Sequence, residues 1–515
     1  MPRAYRVCSS LILLLGLTGC VTNPVTGDRE MELVGEERER AIGEAHYLPG
    51  RQMQGGDYVV DPQLQAYVSR VGARLAAVSD RSLDYEFTIL NNSTPNAWAL
   101  PGGKIAVNRG LLLELENEAQ LAAVLGHEIV HAAARHGAQA LERGLLIQGA
   151  VLAAATAARE NDYGRYVIGS AQVAAQLINQ RYNRAAELEA DRWGMIYMAR
   201  AGYDPRGAVG LQETLVRLAE EGKSDWLSGL FASHPPSQQR VQENRRTAEE
   251  LGEEGVLGVD AYAAASGRLR ATRVAYDHYD HGRRALAEGK PDLAMRLAGQ
   301  AIEVQPEEGQ FFGLRGDVAF ALRDYASAER HYTDAIGRNS QYFKFYLGRG
   351  ESRRKLENLQ GAEADLKASM ALLPTADAAT ALGQIAEAEE ELGRAIALYA
   401  AAAGSETPAG EIASRRLVAL DLPRRPERYV PTVAKVDRQG QIYLEIQNLS
   451  GVPLRDLRLL FVYRNADGRV RQESRIHTGR IPPGESGLLV LGSQYVPVFN
   501  TIRAQVTSAR PADEN

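Results

Sequence analysis

Apolar residues recur at helical spacing in the stretch that ends at Gly137, and this spacing predicts an amphipathic helix. Asn117 followed by Gln120 is a variant of the capping box with which helices begin, and Gly137 is a residue type that often ends one. The apolar stripe consists of four residues: Leu121, Val124, Leu125 and Ile129. We therefore expect one continuous helix from Asn117 to Gly137.

Strand-like patterns precede this helix. Residues 85–90 alternate like a strand, and residues 96–107 predict two short strands around the turn Pro101-Gly102-Gly103. The edge of such a strand pair can bind an extended peptide by main-chain hydrogen bonds. On that interpretation the substrate-binding residues are Asn96, Ala97, Trp98 and Ala99. The alternative is an ordinary hairpin.

The second half of the chain repeats. One column of glycines has spacings of 34, 34 and 33 residues: Gly282, Gly316, Gly350 and Gly383. Two columns of small residues keep the same register: Ala294, Ala328, Ala362 and Ala395, then Ala301, Ala335, Ser369 and Ala402. Small residues at these positions are typical of tetratricopeptide repeats, in which they let paired helices pack closely. We expect about four repeats over residues 275–420, with a concave face that binds a partner or client segment; a spacer is the alternative.

Short strand-like segments follow the repeats, separated by turn residues. They are residues 442–446, 457–463, 470–476, 487–491 and 501–507. Strands of this length and spacing predict a small β-sandwich over residues 428–510. It carries no cluster of catalytic residue types, so we interpret it as an accessory module.

The composition is that of a folded soluble protein, with 515 residues of which 45% are hydrophobic and 24% charged. The formal net charge of −6 is mild and has the wrong sign for binding nucleic acid. Basic residues followed by the apolar run 7–17 predict a secretory signal over residues 1–19. The chain has only two cysteines, Cys8 within this segment and Cys20 directly after it.

The string Leu-Thr-Gly-Cys that ends at Cys20 resembles the lipobox of bacterial lipoproteins. This resemblance implies cleavage before Cys20, lipidation of its thiol and a periplasmic protein attached to a membrane. Val21 stands where Asp would favour the inner membrane, which implies the outer membrane. An unlipidated signal peptide is the alternative.

The helix that ends at Gly137 carries the sequence His-Glu-Ile-Val-His. His127 and His131 are four residues apart and share one helical face, so both imidazoles can hold one zinc ion. Glu128 beside them can take a proton from the attacking water. The alternative is a pair of surface histidines. A third ligand is needed, and His136 lies half a turn out of phase on a continuous helix.

A second predicted helix, residues 183–194, offers the third ligand. Glu187 and Asp191 are four residues apart and share a face, whereas Glu189 points away. We therefore expect Glu187 to bind the metal and Asp191 to hydrogen-bond a ligand imidazole. Without the His-Glu motif, these residues would be interpreted as solvated surface.

Downstream, Ser233-His234-Pro235-Pro236 precedes a polar helix that contains Arg240. Because proline blocks a helix at that point, His234 is expected in a loop. Together with the motifs around Glu128 and Glu187 and the string Asn-Ala-Trp-Ala-Leu-Pro-Gly-Gly, this order resembles the HtpX/Ste-type zinc metallopeptidase family over residues 90–240.

The resemblance implies a ligand set and roles for the nearby residues. It implies that His127, His131 and Glu187 bind one zinc ion per chain and that Glu128 is the general base. His234 would be a reversible fourth ligand or a stabiliser of the oxyanion. We expect Asp191 and Arg240 to hold the metal ligands in position without binding the metal themselves.

The fold class expected is therefore multidomain: an α+β zincin-like metallopeptidase domain over residues 20–260, the all-α tetratricopeptide solenoid and the small β-sandwich. This order resembles the periplasmic, BepA-like metallopeptidases that carry tetratricopeptide repeats. It implies a zinc endopeptidase that acts on unfolded or misfolded envelope proteins, with repeats that recruit clients or the outer-membrane assembly machinery.

Two alternatives remain. One is a chaperone or assembly adaptor whose zinc site is kept shut by His234. A weaker one is a structural lipoprotein in which zinc only braces the fold.

Overall fold

The computed structural model describes residues 19–148, 169–220, 233–252, 254–436, 442–464, 469–492 and 503–512. The predicted signal segment, apart from its last residue, lies outside these ranges. The chain forms two compact units that meet in sequence between Pro374 and Thr375. Within the described ranges, every helix is too short or too polar to cross a membrane.

Within the first unit, the predicted peptidase domain, called the peptidase part, contains two small sheets. Strands β1 (Gly19–Thr22) and β2 (Arg29–Glu32) pair antiparallel. Strands β3 (Glu86–Leu90), β4 (Ala97–Leu100) and β5 (Lys104–Asn108) form a sheet of order β3-β5-β4. The predicted strand pair is thus confirmed, with β4 antiparallel to β5 and at the edge.

Nine helices of the described chain surround these sheets. They are α1 (Glu36–Met53), α2 (Pro62–Ala76), α3 (Arg109–Glu114), α4 (Glu118–Ala133), α5 (His136–Gln148), α6 (Gly169–Ile178), α7 (Arg184–Arg200), α8 (Arg206–Glu220) and α9 (Gln238–Leu251). Helix α4 is the centre of the core, because every residue from Ala119 to Ala133 is buried. Together these elements confirm the expected α+β class.

Helix α4 begins as predicted and ends earlier. The Asn117 side chain accepts a hydrogen bond from the Gln120 backbone N–H over 2.9 Å. The helix stops at Ala133, and Arg135 adopts a left-handed backbone with φ 62°. The predicted stop at Gly137 is wrong, since Gly137 lies inside the next helix, α5.

Buried contacts explain the break at Arg135. Its Nη2 donates to the Val34 carbonyl over 2.6 Å and its Nε donates to Glu39 over 3.2 Å. Its guanidinium also lies 3.4 Å from Glu142. These contacts stabilise a conformation that costs about 1–2 kcal/mol for a residue with a Cβ.

The segment after β1 packs onto the end of α4. Asn23 is buried, and its Nδ2 donates to Glu30 over 2.8 Å and to the Ala134 carbonyl over 3.5 Å. Val25 belongs to the same hydrophobic core as α4. Residues 23–25 therefore belong to the folded peptidase part.

The repeats consist of paired helices, which confirms the predicted solenoid. After the connecting helix α10 (Val259–Ala271), the first unit contains α11 (Arg273–Ala287), α12 (Pro291–Val304), α13 (Gly309–Ala321), α14 (Tyr325–Arg338), α15 (Phe343–Lys355) and α16 (Leu359–Leu372). A Cβ on Gly316 would lie 2.7 Å from the Tyr332 ring, so the helices can pack this closely only with glycine at that position of the repeat.

Buried polar contacts join the first repeats to the peptidase part. The Glu308 carboxylate accepts hydrogen bonds from Asn91 Nδ2 over 2.9 Å and from the Tyr276 hydroxyl over 2.8 Å. Gln310 Nε2 donates to the Gly55 carbonyl over 2.8 Å. Because such groups are costly to bury unpaired, these contacts fix the first repeats in one position on the peptidase.

The second unit contains the last helices and the C-terminal strands. The helices are α17 (Ala376–Ala388), α18 (Leu392–Ala402), α19 (Pro408–Asp421) and α20 (Pro426–Tyr429). The strands are β6 (Thr432–Val436), β7 (Ile442–Gln447), β8 (Leu454–Arg464), β9 (Val470–His477), β10 (Ser486–Gly492) and β11 (Arg503–Pro511). They form two antiparallel sheets of order β10-β7-β6 and β11-β8-β9, which enclose a common core with Leu444, Phe461 and Val506. This confirms the predicted β-sandwich.

Candidate metal centre

A close helix crossing builds the centre. Helices α4 and α7 touch backbone to backbone, since a Cβ on Gly126 would lie 3.1 Å from the Gly194 carbonyl oxygen. Helix α7 begins at a cap in which Asn183 accepts from the Ala186 backbone N–H over 2.9 Å. The crossing brings the acidic face of α7 to the histidine face of α4.

Four side chains converge at this crossing: His127, His131, Glu187 and His234. One ligand atom from each lies within 4.8 Å of all the others. The two Nε2 atoms of His127 and His131 are 3.0 Å apart, and His234 Nδ1 is 2.9 Å from Glu187 Oε1. The loop before α9 supplies His234, as expected from its prolines.

The chemistry of this group fits a divalent transition metal. Imidazole nitrogens and one carboxylate oxygen form the donor set that zinc binds in catalytic sites. The Nε2 atoms of two neutral imidazoles 3.0 Å apart can share at most one proton between them. A metal cation would instead accept the lone pairs of both nitrogens. Glu128 Oε2 is also buried, without a hydrogen-bond partner in the described part of the chain. The group therefore is a candidate metal site with an unsatisfied carboxylate next to it.

Asp191 contacts His127 on its Nδ1 side, and Arg240 in turn contacts Asp191. The carboxylate of Asp191 lies 3.0 Å from His127 Nδ1 and accepts two hydrogen bonds from Arg240, each of 2.7 Å. Burial would raise the pKa of Asp191, but Arg240 and His127 outweigh it and lower that pKa. The ionised carboxylate accepts from Nδ1–H, which leaves His127 Nε2 free to bind a metal.

Burial and charge set the protonation of the other groups. Burial lowers the pKa of His131 well below its usual value and raises the pKa of Glu128. Burial also opposes the charge of His234, but the carboxylates of Glu187 and Glu128 outweigh it and raise the pKa of that imidazole. Neutral His131 suits metal binding, and the raised pKa of Glu128 suits a proton acceptor.

Two neighbours of His131 were not predicted to contact it. The Tyr182 ring stacks on the His131 ring with centroids 4.0 Å apart. His136 lies with its Nδ1 2.8 Å from Nδ1 of His131, on the side away from the ligand group. The break at Arg135 brings His136 to this position. The predicted half-turn offset of His136 assumed one continuous helix, and the structure has two. The sequence around Tyr182 gives no periodic signal for this stacking.

The predicted substrate-binding strand lies close to the centre, with buried side chains. Ala97 faces a cavity that also reaches His127, whereas Trp98 packs on Tyr47 with ring centroids 6.0 Å apart. The Asn96 carbonyl accepts from the Asn108 backbone N–H over 2.8 Å. Ala99 is buried as well.

Comparisons with known families agree with this architecture. A model of peptidase family M48 matches residues 62–248. A tetratricopeptide-repeat model matches residues 279–343 and 314–376. The two matches cover the metal centre and the paired helices, respectively.

Similar proteins include characterised peptidases. The chain is 35% identical over 178 residues to mitochondrial metalloendopeptidase OMA1 of Schizosaccharomyces pombe, covering 34% of this chain and 50% of that one. It is 28% identical over 219 residues to the beta-barrel assembly-enhancing protease of Escherichia coli K12, covering 39% and 45%. It is 30% identical over 190 residues to metalloprotease YcaL of the same organism, covering 36% and 72%. The chain thus spans about half the length of the first two relatives.

Proposed function

Because the chain belongs to peptidase family M48, we propose that it is a zinc-dependent endopeptidase. The observation that carries this proposal is the buried convergence of His127, His131 and Glu187 beside Glu128, whose Oε2 has no hydrogen-bond partner among the described residues. A purely structural metal site needs no such carboxylate oxygen next to its ligands.

In this proposal His127, His131 and Glu187 hold one zinc ion. When bound, zinc would polarise the scissile carbonyl and lower the pKa of water at the site. Glu128 accepts the proton of the attacking water and passes it to the leaving amine, a role that its raised pKa favours. Asp191 and Arg240 keep His127 oriented and its Nε2 available.

His234 is proposed as a reversible fourth ligand. Its Nδ1 lies 2.9 Å from Glu187 Oε1 and 3.3 Å from His127 Nε2, which supports this role. At that position the imidazole would compete with a substrate carbonyl for a bound zinc ion. Its withdrawal would open the site, and the imidazole would then be able to stabilise the oxyanion.

The substrates proposed are unfolded or misfolded envelope proteins, including outer-membrane proteins. Similarity to the beta-barrel assembly-enhancing protease supports this class of substrate. The repeats would recruit clients or the outer-membrane assembly machinery, and lipid on Cys20 would hold the protein at the outer membrane on its periplasmic side. Residues 96–99 would bind the substrate main chain beside the metal centre.

A second candidate is a chaperone or assembly adaptor with a silent site. The observation that favours it is the same position of His234, which closes the ligand group. The adaptor would work through its repeats alone. Its activity would then be independent of Glu128.

The experiment measures zinc content and cleavage of an unfolded outer-membrane protein by wild type, Glu128→Gln and His234→Ala. We expect Glu128→Gln to keep zinc and lose cleavage, by a factor of about 100 or more. Faster cleavage by His234→Ala would identify His234 as a gate. If all three variants bind zinc and none cleaves, the peptidase proposal fails and the adaptor takes its place.

A further inference from the structure

His131 has a neighbour outside the ligand group that contacts its second ring nitrogen. Its Nε2 lies 3.0 Å from His127 Nε2 and 3.5 Å from Glu187 Oε1, whereas its Nδ1 lies 2.8 Å from Nδ1 of His136. Two imidazole nitrogens at the latter distance share one hydrogen bond, in which one nitrogen carries the proton and the other accepts it. The direction of this bond determines whether Nε2 of His131 has a lone pair for a metal.

A carboxylate on the other side of His136 favours one direction. Glu189 Oε1 lies 3.3 Å from His136 Nε2, and no hydrogen bond from another described group reaches this buried oxygen. An ionised carboxylate only accepts, so it favours the tautomer of His136 with a proton on Nε2 and a lone pair on Nδ1. His131 then donates from its Nδ1, which leaves the lone pair of its Nε2 directed at the ligand group.

The contact between the two imidazoles is buried. His131 is 1% exposed and His136 is 3% exposed. The Tyr182 ring covers His131 at 4.0 Å between centroids and lies 6.0 Å from the His136 ring. A donor buried in this way is costly to leave without an acceptor, because water cannot take the acceptor's place. The Nδ1–H of His131 therefore depends on His136.

The break between α4 and α5 makes this arrangement possible. Arg135 ends α4 with its left-handed backbone, and His136 is the first residue of α5. The change of direction places the His136 ring next to Nδ1 of His131, where a continuous helix would not bring it. On α7, Glu189 points away from the ligand group, as predicted, and reaches His136 instead.

We propose that His136 and Glu189 are positioning residues of the metal centre, which hold His131 in the tautomer whose Nε2 binds zinc. Asp191 acts on His127 by direct contact, whereas at His131 an imidazole lies between the ligand and the carboxylate. The inference rests on the zinc site of the proposed function and adds two residues to it. It implies that zinc affinity depends on an acceptor at position 136, and on Glu189 only through His136.

The first test measures zinc affinity by competition with a chelator. His136→Leu removes the acceptor and fills a similar volume, whereas His136→Asn puts an amide oxygen close to the place of Nδ1. We expect His136→Leu to weaken zinc binding by about 10- to 100-fold and His136→Asn by at most about threefold. A role in packing alone predicts the reverse order, because leucine is easier to bury than asparagine. That reverse order, or equal affinity of His136→Leu and wild type, would overturn the inference.

The second test is a double-mutant cycle between Glu189 and His136. Glu189→Ala should weaken zinc binding by about three- to tenfold, the effect of one net hydrogen bond. In the His136→Asn background the same substitution should change the affinity by less than about twofold, because asparagine has no Nε2–H for Glu189 to accept. Equal effects in both backgrounds would overturn the inference. Arg192→Gln is the control on the same helix, since Arg192 is exposed and pairs with Glu250 at the surface.

The third measurement identifies the tautomer. Nitrogen-15 NMR of the zinc-loaded protein with labelled histidine distinguishes protonated from unprotonated ring nitrogens. The signals that disappear in His136→Asn belong to His136. We expect its Nε2 to carry the proton and its Nδ1 to be unprotonated, and a proton on Nδ1 would overturn the inference. This measurement and the cycle decide the question even if His136→Leu does not fold.

The outcomes separate the inference from the function on which it rests. If wild type cleaves an unfolded protein and His136→Leu binds zinc as tightly as wild type, the inference fails while the peptidase proposal stands. If the affinities and the tautomer are as expected and no variant cleaves, the inference stands and the peptidase proposal fails. Circular dichroism of each variant verifies that it is folded.

Discussion

Arg240 binds Asp191 at two points: Nε donates to Oδ2 and Nη2 donates to Oδ1, each over 2.7 Å. The same carboxylate faces His127 Nδ1 at 3.0 Å. Arg240 also lies 3.0 Å from Glu187 Oε2, so one buried cation contacts both a member of the ligand group and the carboxylate that faces His127. The orientation of the proposed metal ligands therefore depends on two residues, Asp191 and Arg240, that are outside the ligand group.

Asp191→Asn should weaken zinc binding by about 10- to 100-fold, because the substitution removes the charge that orients His127 and leaves Arg240 underpaired. Competition with a chelator measures this affinity. Arg192→Gln is the matched control, since Arg192 lies on the same helix and pairs with Glu250 at the surface. Equal zinc affinity of Asp191→Asn and wild type would contradict the orienting role.

Zinc uptake should release more protons from wild type than from His234→Ala at pH 7. The pKa of His234 is raised, so in the metal-free protein more of this imidazole is protonated at pH 7 than in an ordinary histidine. A metal can bind only the neutral form, and the difference should amount to at most about one proton. The pKa of His131 is lowered, so His131 contributes no proton.

Calorimetry in buffers with different ionisation enthalpies measures these protons. The difference between the two proteins should vanish as the pH rises above the raised pKa of His234, because the imidazole is then neutral before zinc arrives. An equal release at pH 7 would mean that His234 does not bind the metal.

Arg135→Ala should destabilise the first unit by about 1–3 kcal/mol, because the Val34 carbonyl loses a buried donor, whereas Glu39 keeps its two hydrogen bonds from Arg81. The exposed ion pair between Arg40 and Glu36, with N to O at 2.7 Å, gives the control. Arg40→Ala should cost at most about 1 kcal/mol. Urea denaturation followed by tryptophan fluorescence compares the two variants, and similar losses of stability would refute the importance of burial.

Glu308→Ala should loosen the contact between the first repeats and the peptidase part. The substitution leaves the Asn91 amide and the Tyr276 hydroxyl without their acceptor. Each buried donor without a partner costs about 1–3 kcal/mol of stability. Hydrogen exchange should become faster around Asn91 and in α11. Glu307→Ala is the neighbouring control, since Glu307 is exposed and pairs with Arg268 at the surface. Unchanged exchange in Glu308→Ala would show that other contacts hold the junction.

Much of the centre could be predicted because it depends on local periodicity. Four-residue spacing fixes the shared face of His127 and His131, and likewise that of Glu187 and Asp191. The cap at Asn117 needs only a residue three positions away. The repeats are equally local, since each column of small residues reports a contact between successive helices.

The rest depends on contacts between distant parts of the chain. The helix was expected to reach Gly137, and it ends early because Arg135 binds Val34 and Glu39 about a hundred positions away. The same applies to Tyr182, whose ring stacks on His131 about fifty positions earlier in the chain. No spacing in the sequence encodes such contacts.

The buried position of Asn23 determines how a lipid on Cys20 would act. Only two residues separate Cys20 from Asn23, and each extended residue spans about 3.3–3.6 Å at most. Since Asn23 is buried next to Ala134 at the end of α4 and donates to Glu30, the chain between the lipid and the folded protein would be too short to let the protein move away. It would hold the peptidase part directly against the membrane, whereas a long linker would let this part move away from the membrane. Cleavage would then be confined to chains that are next to that membrane.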